Sequence, residues 1–395
     1  MTVLRVITVD GSPHSVDALA GALRSALAGG PAVLPVAPGE APAAGRPGDG
    51  AAVVIATSGS TGAAKHVVLS GAALQASARA TADQLGGPAR WLLALPGHHV
   101  AGVQVVVRAL LAGAPPVVQD LRGGFRPDGF AAATRELGAD RRCTSLVPTQ
   151  FGRIIDAGGA AVDALRSYSA VLVGGAALAP QLHERAVAAD VKVVTTYGMS
   201  ETAGGCVYDG RPLDGVRVEL EPDGRIRIGG PTLADGYLGD PELTAAAFVG
   251  GWFRTGDLGR WRDDGRLEVL GRADDVIVTG GENVAPAAVE RVLAAQDGVA
   301  AACVVGVPDL EWGQVVAAAV VPDGAVPPGP LDPAFAEGLQ AAVRAALGRA
   351  AVPRVLRAVP AIPLHGIGKP DRVAAARLLT ASPTSRPGES GISSR

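Results

Sequence analysis

Small residues, hydroxyls and one cation fall together in Ala56-Thr57-Ser58-Gly59-Ser60-Thr61-Gly62-Ala63-Ala64-Lys65. An apolar run from Ala51 to Ile55 precedes this stretch, and a helical pattern begins near Ser70. The order reads as strand, loop, helix. Glycines in such a loop let backbone N–H groups turn toward an anion, hydroxyls add donors and a lysine adds charge, so the loop suits a phosphate chain. Gly59 and Gly62 are too close together for a Walker A loop, and His66 follows the lysine. A flexible linker of small residues is the plainer alternative.

Further polar clusters follow strand-like runs. Thr196-Tyr197-Gly198-Met199-Ser200-Glu201 comes after the apolar run Val191–Thr195. The carboxyl ends of strands in an open parallel sheet are where ligands bind. Tyr197 offers a face on which a base can stack, and Glu201 an oxygen for Mg²⁺. A strand-ending turn with a solvated Glu is the alternative. Gly174-Gly175-Ala176 ends the preceding strand and would let a planar ligand approach the backbone. Thr255-Gly256-Asp257 reads as a turn between hairpins, where an Asp can take both hydroxyls of a ribose. Gly366-Ile367-Gly368-Lys369 places one lysine on a glycine-flanked loop, which alone reads as a surface lysine.

These residues need a frame. Short apolar strands alternate with helical patterns from Trp91 to Thr195, which implies a mostly parallel sheet covered on both faces. Gly29–Gly50, rich in Pro, Gly and Ala, reads as a surface crossing. After Tyr197 the pattern turns β-rich, with hairpins expected around Pro222-Asp223-Gly224 and Asp263-Asp264-Gly265. A smaller α+β unit follows. The expected division is residues 1–272 as a large α/β domain with a β-rich subdomain, residues 273–380 as a small mobile α+β domain, and residues 381–395, rich in Ser, Pro and Gly, as a disordered tail.

The chain has 395 residues, 48% of them hydrophobic and 18% charged, which suits a folded chain of two or three domains. A net charge of −3 gives no pull toward nucleic acid or an anionic membrane. No apolar run is long enough to span a bilayer. Cys143, Cys206 and Cys303 lie in or beside apolar runs, as reduced, buried thiols of a cytoplasmic protein would. With 4% aromatics, the cores must be built from Ala, Val and Leu.

In this order, the clusters resemble the acyl-adenylate-forming superfamily of acyl-CoA synthetases, peptide-synthetase adenylation domains and luciferases. Thr57 to Gly62 with Lys65, Tyr197 to Glu201, Thr255-Gly256-Asp257, Gly271-Arg272-Ala273-Asp274-Asp275 with Gly280-Gly281-Glu282-Asn283-Val284, and Gly368-Lys369 carry the resemblance, which spans about Ala51 to Arg372. Leu95-Pro96-Gly97-His98-His99-Val100-Ala101-Gly102, Ser145 to Gln150 and Leu172 to Ala177 look more narrowly like the o-succinylbenzoate–CoA ligases of menaquinone biosynthesis. Ala64 stands where that superfamily usually has Pro, Ser200 where it often has Thr, and Val278 near a position where it often has Lys. The region before the phosphate loop is shorter than in most members.

The resemblance implies two half-reactions. A carboxylate attacks the α-phosphate of ATP and releases diphosphate, and CoA thiolate then attacks the acyl-adenylate and releases AMP. It implies Lys369, Glu201 and Lys65 as catalytic residues, with Glu201 holding Mg²⁺. Thr57, Ser58, Gly59, Ser60, Thr61 and Gly62 would hold the phosphates beside Lys65. Tyr197 and Gly175 would sandwich the adenine, Gly174, Ala176, Thr196, Gly198, Met199 and Ser200 would also contact the nucleotide, and Asp257 and Arg272 would fix the ribose. His99, Gly102, Thr149, Arg153 and Gly175 are the candidates for the acyl pocket, with Arg153 for a second carboxylate. Gly280 and Gly281 would line the CoA channel, and Asp274 would be the hinge. ATP, Mg²⁺ and CoA are the implied cofactor and co-substrates, and a homodimer is carried as an expectation. Two rival expectations are a ligase for another aryl or fatty acid and a catalytically silent nucleotide-binding protein on the same fold.

Overall fold

Alternating strands and helices build a seven-stranded sheet in the order Arg211–Pro212, Gly204–Tyr208, Val193–Met199, Ala170–Gly174, Arg142–Leu146, Arg90–Leu93, Val117–Val118. Every pairing from Val193–Met199 to Val117–Val118 is parallel. The two strands after Glu201 return antiparallel. The computed structural model describes residues 4–43, 45–57, 65–138, 140–324, 327–365 and 369–380. Its chain divides into two compact units, Met1–Leu270 and Gly271–Arg395.

A second sheet in the larger unit runs Leu4–Thr8, Ala32–Val36, Ala51–Thr57, Lys65–Ser70, Gly236–Tyr237. Two expectations are corrected here. Ala32–Val36, read as part of a surface crossing, is a strand with every residue buried. Lys65–Ser70 is a strand antiparallel to Ala51–Thr57, so the glycine- and serine-rich stretch joins two strands of a hairpin, not a strand to a helix. The helix Gly71–Gln84 begins only after it, where the Ser70 hydroxyl accepts from the Ala73 N–H at 3.1 Å.

The β-rich section pairs Arg217–Leu220 with Arg225–Gly229 and Trp252–Trp261 with Leu267–Arg272, so both expected hairpin turns are present. Short helices at Gly159–Arg166, Pro241–Ala247 and Arg372–Thr380 have no counterpart in the sequence reading. The core under the seven-stranded sheet packs Phe130, Phe151, Leu165 and Tyr168 among Ala, Val, Leu and Ile.

In the smaller unit the strand Gly313–Pro322 divides two cores by its alternation. Val316, Ala318 and Val320 face Val289, Leu293, Leu339 and Val343, whereas Val315, Ala317 and Ala319 face Cys303, Val305, Ala375 and Leu379. All three cysteines are free and buried. No helix among the described residues is long and apolar enough to cross a membrane.

Candidate active site

The strand expected to end at Thr195 continues to Met199, so Tyr197, Gly198 and Met199 lie in the sheet and not in a turn. The strand Gly204–Tyr208 extends it by pairing Gly205 with Gly198. A Cβ on Gly198 would stand 2.1 Å from the Gly204 carbonyl oxygen, so only glycine fits there. Thr255-Gly256-Asp257 is likewise inside a long strand, Trp252–Trp261, where a turn was expected. Thr255 is fully buried and donates its hydroxyl to the Ile226 carbonyl at 2.9 Å. The Asp257 N–H donates to the same hydroxyl at 3.0 Å. The two strands bring the base-stacking and ribose candidates together: the Tyr197 O–H donates to Asp257 Oδ2 at 2.8 Å. Burial, then the Asp257 charge, push the Tyr197 phenol far above its ordinary range, so it stays a donor.

Gly174 ends its strand opposite Thr196. A Cβ there would meet the Thr196 hydroxyl at 2.1 Å, so close strand packing accounts for this glycine. Gly175 is exposed with a φ of +84°, and Ala176 is exposed beside it.

On the phosphate side, the residues expected to cradle the anion from Ser58 to Gly62 lie outside the described residues. Thr57 donates its hydroxyl to the Lys65 carbonyl at 3.2 Å. The Lys65 ammonium stands 5.6 Å from the centroid of the Tyr237 ring, and the Tyr237 O–H donates to Glu201 Oε1 at 3.0 Å. Tyr237 was not singled out from the sequence, yet it joins the two charged candidates. Glu201 sits in the turn Ser200–Thr202, which ends at Ala203 in a left-handed conformation with φ +50°. That strained turn is held from beneath, because Ser77 Oγ and Gln104 Nε2 both donate to the Ala203 carbonyl, at 3.0 and 2.7 Å.

The donor set fits Mg²⁺ in the way that ion is used with nucleotides. Among the described residues no three His, Cys, Asp or Glu side chains gather as an all-protein cage. One carboxylate together with substrate phosphates and water is the usual Mg²⁺ arrangement, and Glu201 is a carboxylate that could take that place.

Among the acyl-pocket candidates, His99 occupies the N-cap position of the helix Val100–Leu111 without making a side-chain capping hydrogen bond. Its ring lies 4.4 Å from that of His98. His98 has a buried Nδ1 without a partner among the described residues, and burial lowers its pKa. Gly102 is explained by packing: a Cβ would stand 2.2 Å from the Pro96 carbonyl oxygen. Thr149 and Arg153 are exposed on the helix Pro148–Ala157. Gln150 between them is buried and bridges two strand ends. Its Oε1 accepts from the Val147 N–H at 3.1 Å and its Nε2 donates to the Ala94 carbonyl at 2.7 Å.

The remaining candidates belong to the smaller unit. Arg272, expected beside Asp257, lies in the other unit and donates to Asp274 Oδ2 at 2.8 Å. Gly280 and Gly281 form the two-residue turn between Ile277–Thr279 and Glu282–Val284, both with positive φ, as a type I′ hairpin requires. A Cβ on Gly280 would meet the Trp312 ring at 2.5 Å, while Gly281 faces open space. Val278 beside them is 50% exposed. Lys369 lies in a short hairpin strand opposite His365, and Gly366, Ile367 and Gly368 fall outside the described residues.

Candidates for a base on the parallel sheet, for a ribose on the antiparallel strand Trp252–Trp261 and for phosphates on the antiparallel pair Ala51–Thr57 and Lys65–Ser70 are the residue types that an enzyme handling a nucleotide would use. Residues 4–238 match the family model of the AMP-binding enzyme, and residues 288–369 that of the AMP-binding enzyme C-terminal domain. The chain belongs to the AMP-binding enzymes. Among its relatives, a protein of Mycobacterium tuberculosis named as a probable 2-succinylbenzoate–CoA ligase is 47% identical over 332 residues, 83% of this chain and 85% of that one. The solved amide bond synthetase McbA from Marinactinospora thermotolerans superposes with a TM-score of 0.75 at 31% identity, over 96% of this chain and 80% of that one. An E. coli MenE variant with bound OSB-AMS superposes with a TM-score of 0.73 at 26% identity, over 95% and 87%. The acyl-adenylate-forming resemblance carried by the ordered motifs is thereby borne out.

Proposed function

We propose that this chain is a 2-succinylbenzoate–CoA ligase of menaquinone biosynthesis, working in the cytoplasm. The observation that carries the reading is the pairing of Tyr197 with Asp257, together with the Lys65–Tyr237–Glu201 group, on a chain 47% identical to a relative of that name. In the first step a substrate carboxylate oxygen attacks the α-phosphorus of ATP, and the bond to the β-phosphate oxygen breaks, releasing diphosphate. In the second, CoA thiolate attacks the acyl carbonyl and AMP leaves.

Two anions must meet in the first step, so neutralising charge is the main task. Tyr197 stacks the base with Gly174, Gly175 and Ala176, Asp257 accepts from the ribose hydroxyls, and Arg272 is the second residue proposed for the ribose. Lys65, with Thr57, Ser58, Ser60 and Thr61, takes the outer phosphates, and Glu201 holds Mg²⁺. Bound Mg²⁺ supplies charge neutralisation on the phosphate oxygens. Lys369 supplies the cation for the approaching carboxylate, and Asp274 is the hinge about which residues 273–380 rotate before CoA enters past Gly280 and Gly281. His99, Gly102, Thr149 and Gly175 line the acyl pocket. Arg153, which has no ion-pair partner among the described residues, takes the second carboxylate of the acid. A homodimer is the proposed assembly.

The test is ATP–diphosphate exchange with a panel of acids, followed by thioester formation with CoA. Exchange that depends on 2-succinylbenzoate, and falls further in Arg153→Ala with that acid than with a plain aryl acid, supports the reading. Exchange confined to other acids, or absent with every acid, would sink it. Thioester formation that fails while an amine is acylated would point instead to amide synthesis.

A further inference from the structure

Tyr237 is fixed from several sides before it meets any charged group. Gly236–Tyr237 pairs antiparallel with the strand that begins at Lys65. The Tyr237 N–H donates to the Thr244 hydroxyl at 2.9 Å, and the ring packs edge-on against Phe248 with centroids 5.9 Å apart. Gly236 adopts a φ of +139°, and a Cβ there would stand 2.4 Å from Thr244 Cγ2, so the backbone is held close to that threonine. The residue is 9% exposed.

From this fixed position the ring serves two partners at once. Its hydroxyl donates to one oxygen of Glu201, which leaves the other carboxylate oxygen to face a cation. Its face lies 5.6 Å from the Lys65 ammonium, within the range of a cation–π attraction. Both long side chains would otherwise sample many rotamers.

We propose that Tyr237 is a positioning residue that sets the Glu201 carboxylate for the metal and the Lys65 ammonium for the nucleotide phosphates. The inference rests on the reading of Glu201 as the metal carboxylate. It does not depend on which acid is activated.

The test measures binding without acid. Mn²⁺ binding to the ATP complex is followed by electron paramagnetic resonance, and metal-free ATP binding by calorimetry. Tyr237→Phe keeps the ring and its packing and removes only the hydroxyl. It should weaken Mn²⁺ about tenfold, at the low end for loss of a group that orients a metal ligand. Metal-free ATP binding should stay close to wild type. Tyr237→Leu should weaken Mn²⁺ similarly and also weaken metal-free ATP about threefold, through Lys65. Unfolding midpoints near wild type for Tyr237→Phe establish that the fold is intact. Unchanged Mn²⁺ affinity in Tyr237→Phe, with loss in Glu201→Gln, would overturn the proposal. Unchanged affinity in both would overturn it together with the metal role of Glu201. Failure of 2-succinylbenzoate as the substrate, with these binding shifts intact, would leave the inference standing and remove only the choice of acid.

Discussion

Arg372 holds Asp275 across 97 residues of sequence: its Nε donates to Asp275 Oδ2 at 2.9 Å. The same guanidinium donates through Nη1 to Glu290 Oε1 and to the Val304 carbonyl, both at 2.6 Å. Arg372 lies three residues after Lys369, and Asp275 directly follows Asp274. One half-buried cation, at the start of the helix that follows the hairpin carrying the proposed catalytic lysine, therefore ties that helix to the proposed hinge segment. The side chains of Arg372, Glu290 and Asp275 are 25%, 18% and 32% exposed, so water screens the network only in part. Arg372→Met should cost about 2 kcal/mol, less than the ~3–5 kcal/mol for breaking a fully buried pair because all three side chains are partly exposed. Urea unfolding that reports on the smaller unit checks this. A loss under about 0.5 kcal/mol, the ordinary size of a surface effect, would mean that the network contributes nothing.

Two glycines near the nucleotide candidates make contrasting predictions. At Gly174 the obstacle to a methyl group is mainly a side chain, the Thr196 hydroxyl at 2.1 Å, whereas at Gly198 it is backbone, the Gly204 carbonyl at 2.1 Å. Gly174→Ala should cost about 2 kcal/mol, and adding Thr196→Ala should return more than half of it. Gly198→Ala should cost about 3 kcal/mol and find no such rescue. Denaturant midpoints of the singles and the double decide it. Simple additivity at Gly174 would place the obstacle in the backbone there too.

His98 gives a pH dependence with a definite sign. Burial lowers its pKa from the ordinary 6.5, opposed by Glu40. Below that pH the unfolded chain takes up a proton that the folded chain resists, so the unfolded state binds more protons and stability falls as pH falls. His98→Phe removes this component. The loss of unfolding free energy between about pH 7.5 and about pH 5.5 should therefore be smaller in His98→Phe than in the wild type. Identical losses would mean that His98 protonates freely in the fold.

The parallel sheet was legible because its strands are short apolar runs separated by helical periodicity, as at Cys143 and Val171. The strand Ala32–Val36 was hidden by its proline-, glycine- and alanine-rich surroundings. Pro35 is tolerated there because pairing toward the Ala51–Thr57 strand is confined to Val33 and Val53, so no ladder bond is asked of Pro35 on that side. Lys65–Ser70 escaped notice because a glycine-rich loop before it and a helix after it made a strand-to-helix passage the simpler reading. Residue types at the site were readable, since a Tyr, an Asp, a Glu and a Lys each carry evident chemistry. Their partners were not: Tyr197 meets Asp257 across 60 positions, and Tyr237 meets Glu201 across 36. Packing of one sheet or turn against another creates those meetings, because in neither case do the two residues lie on paired strands, and no local pattern in the sequence reports such packing.

The two proposed half-reactions separate through Lys369. In the proposed mechanism its charge is needed when two anions approach, because their repulsion peaks as the carboxylate nears the α-phosphate. Removing one preorganised donor of this kind lowers a rate by about 10²–10³, and by more when the donor also positions the nucleophile. In the second step the adenylate already exists and AMP departs readily, so the lysine is not required. Lys369→Ala should therefore nearly abolish adenylate formation from acid and ATP, yet leave thioester formation from supplied acyl-adenylate and CoA close to wild type. The converse variant is chosen at Gly281, where a side chain would enter open space but the φ of +84° strains most residues. Asn tolerates a left-handed backbone, so Gly281→Asn adds bulk with little strain. It should slow the thioester step while leaving adenylation intact. Each half-reaction is measured alone, with acid plus ATP and then with synthetic acyl-adenylate plus CoA. Equal slowing of both steps by Lys369→Ala would make the lysine a general structural or binding residue and remove the chief support for two working conformations.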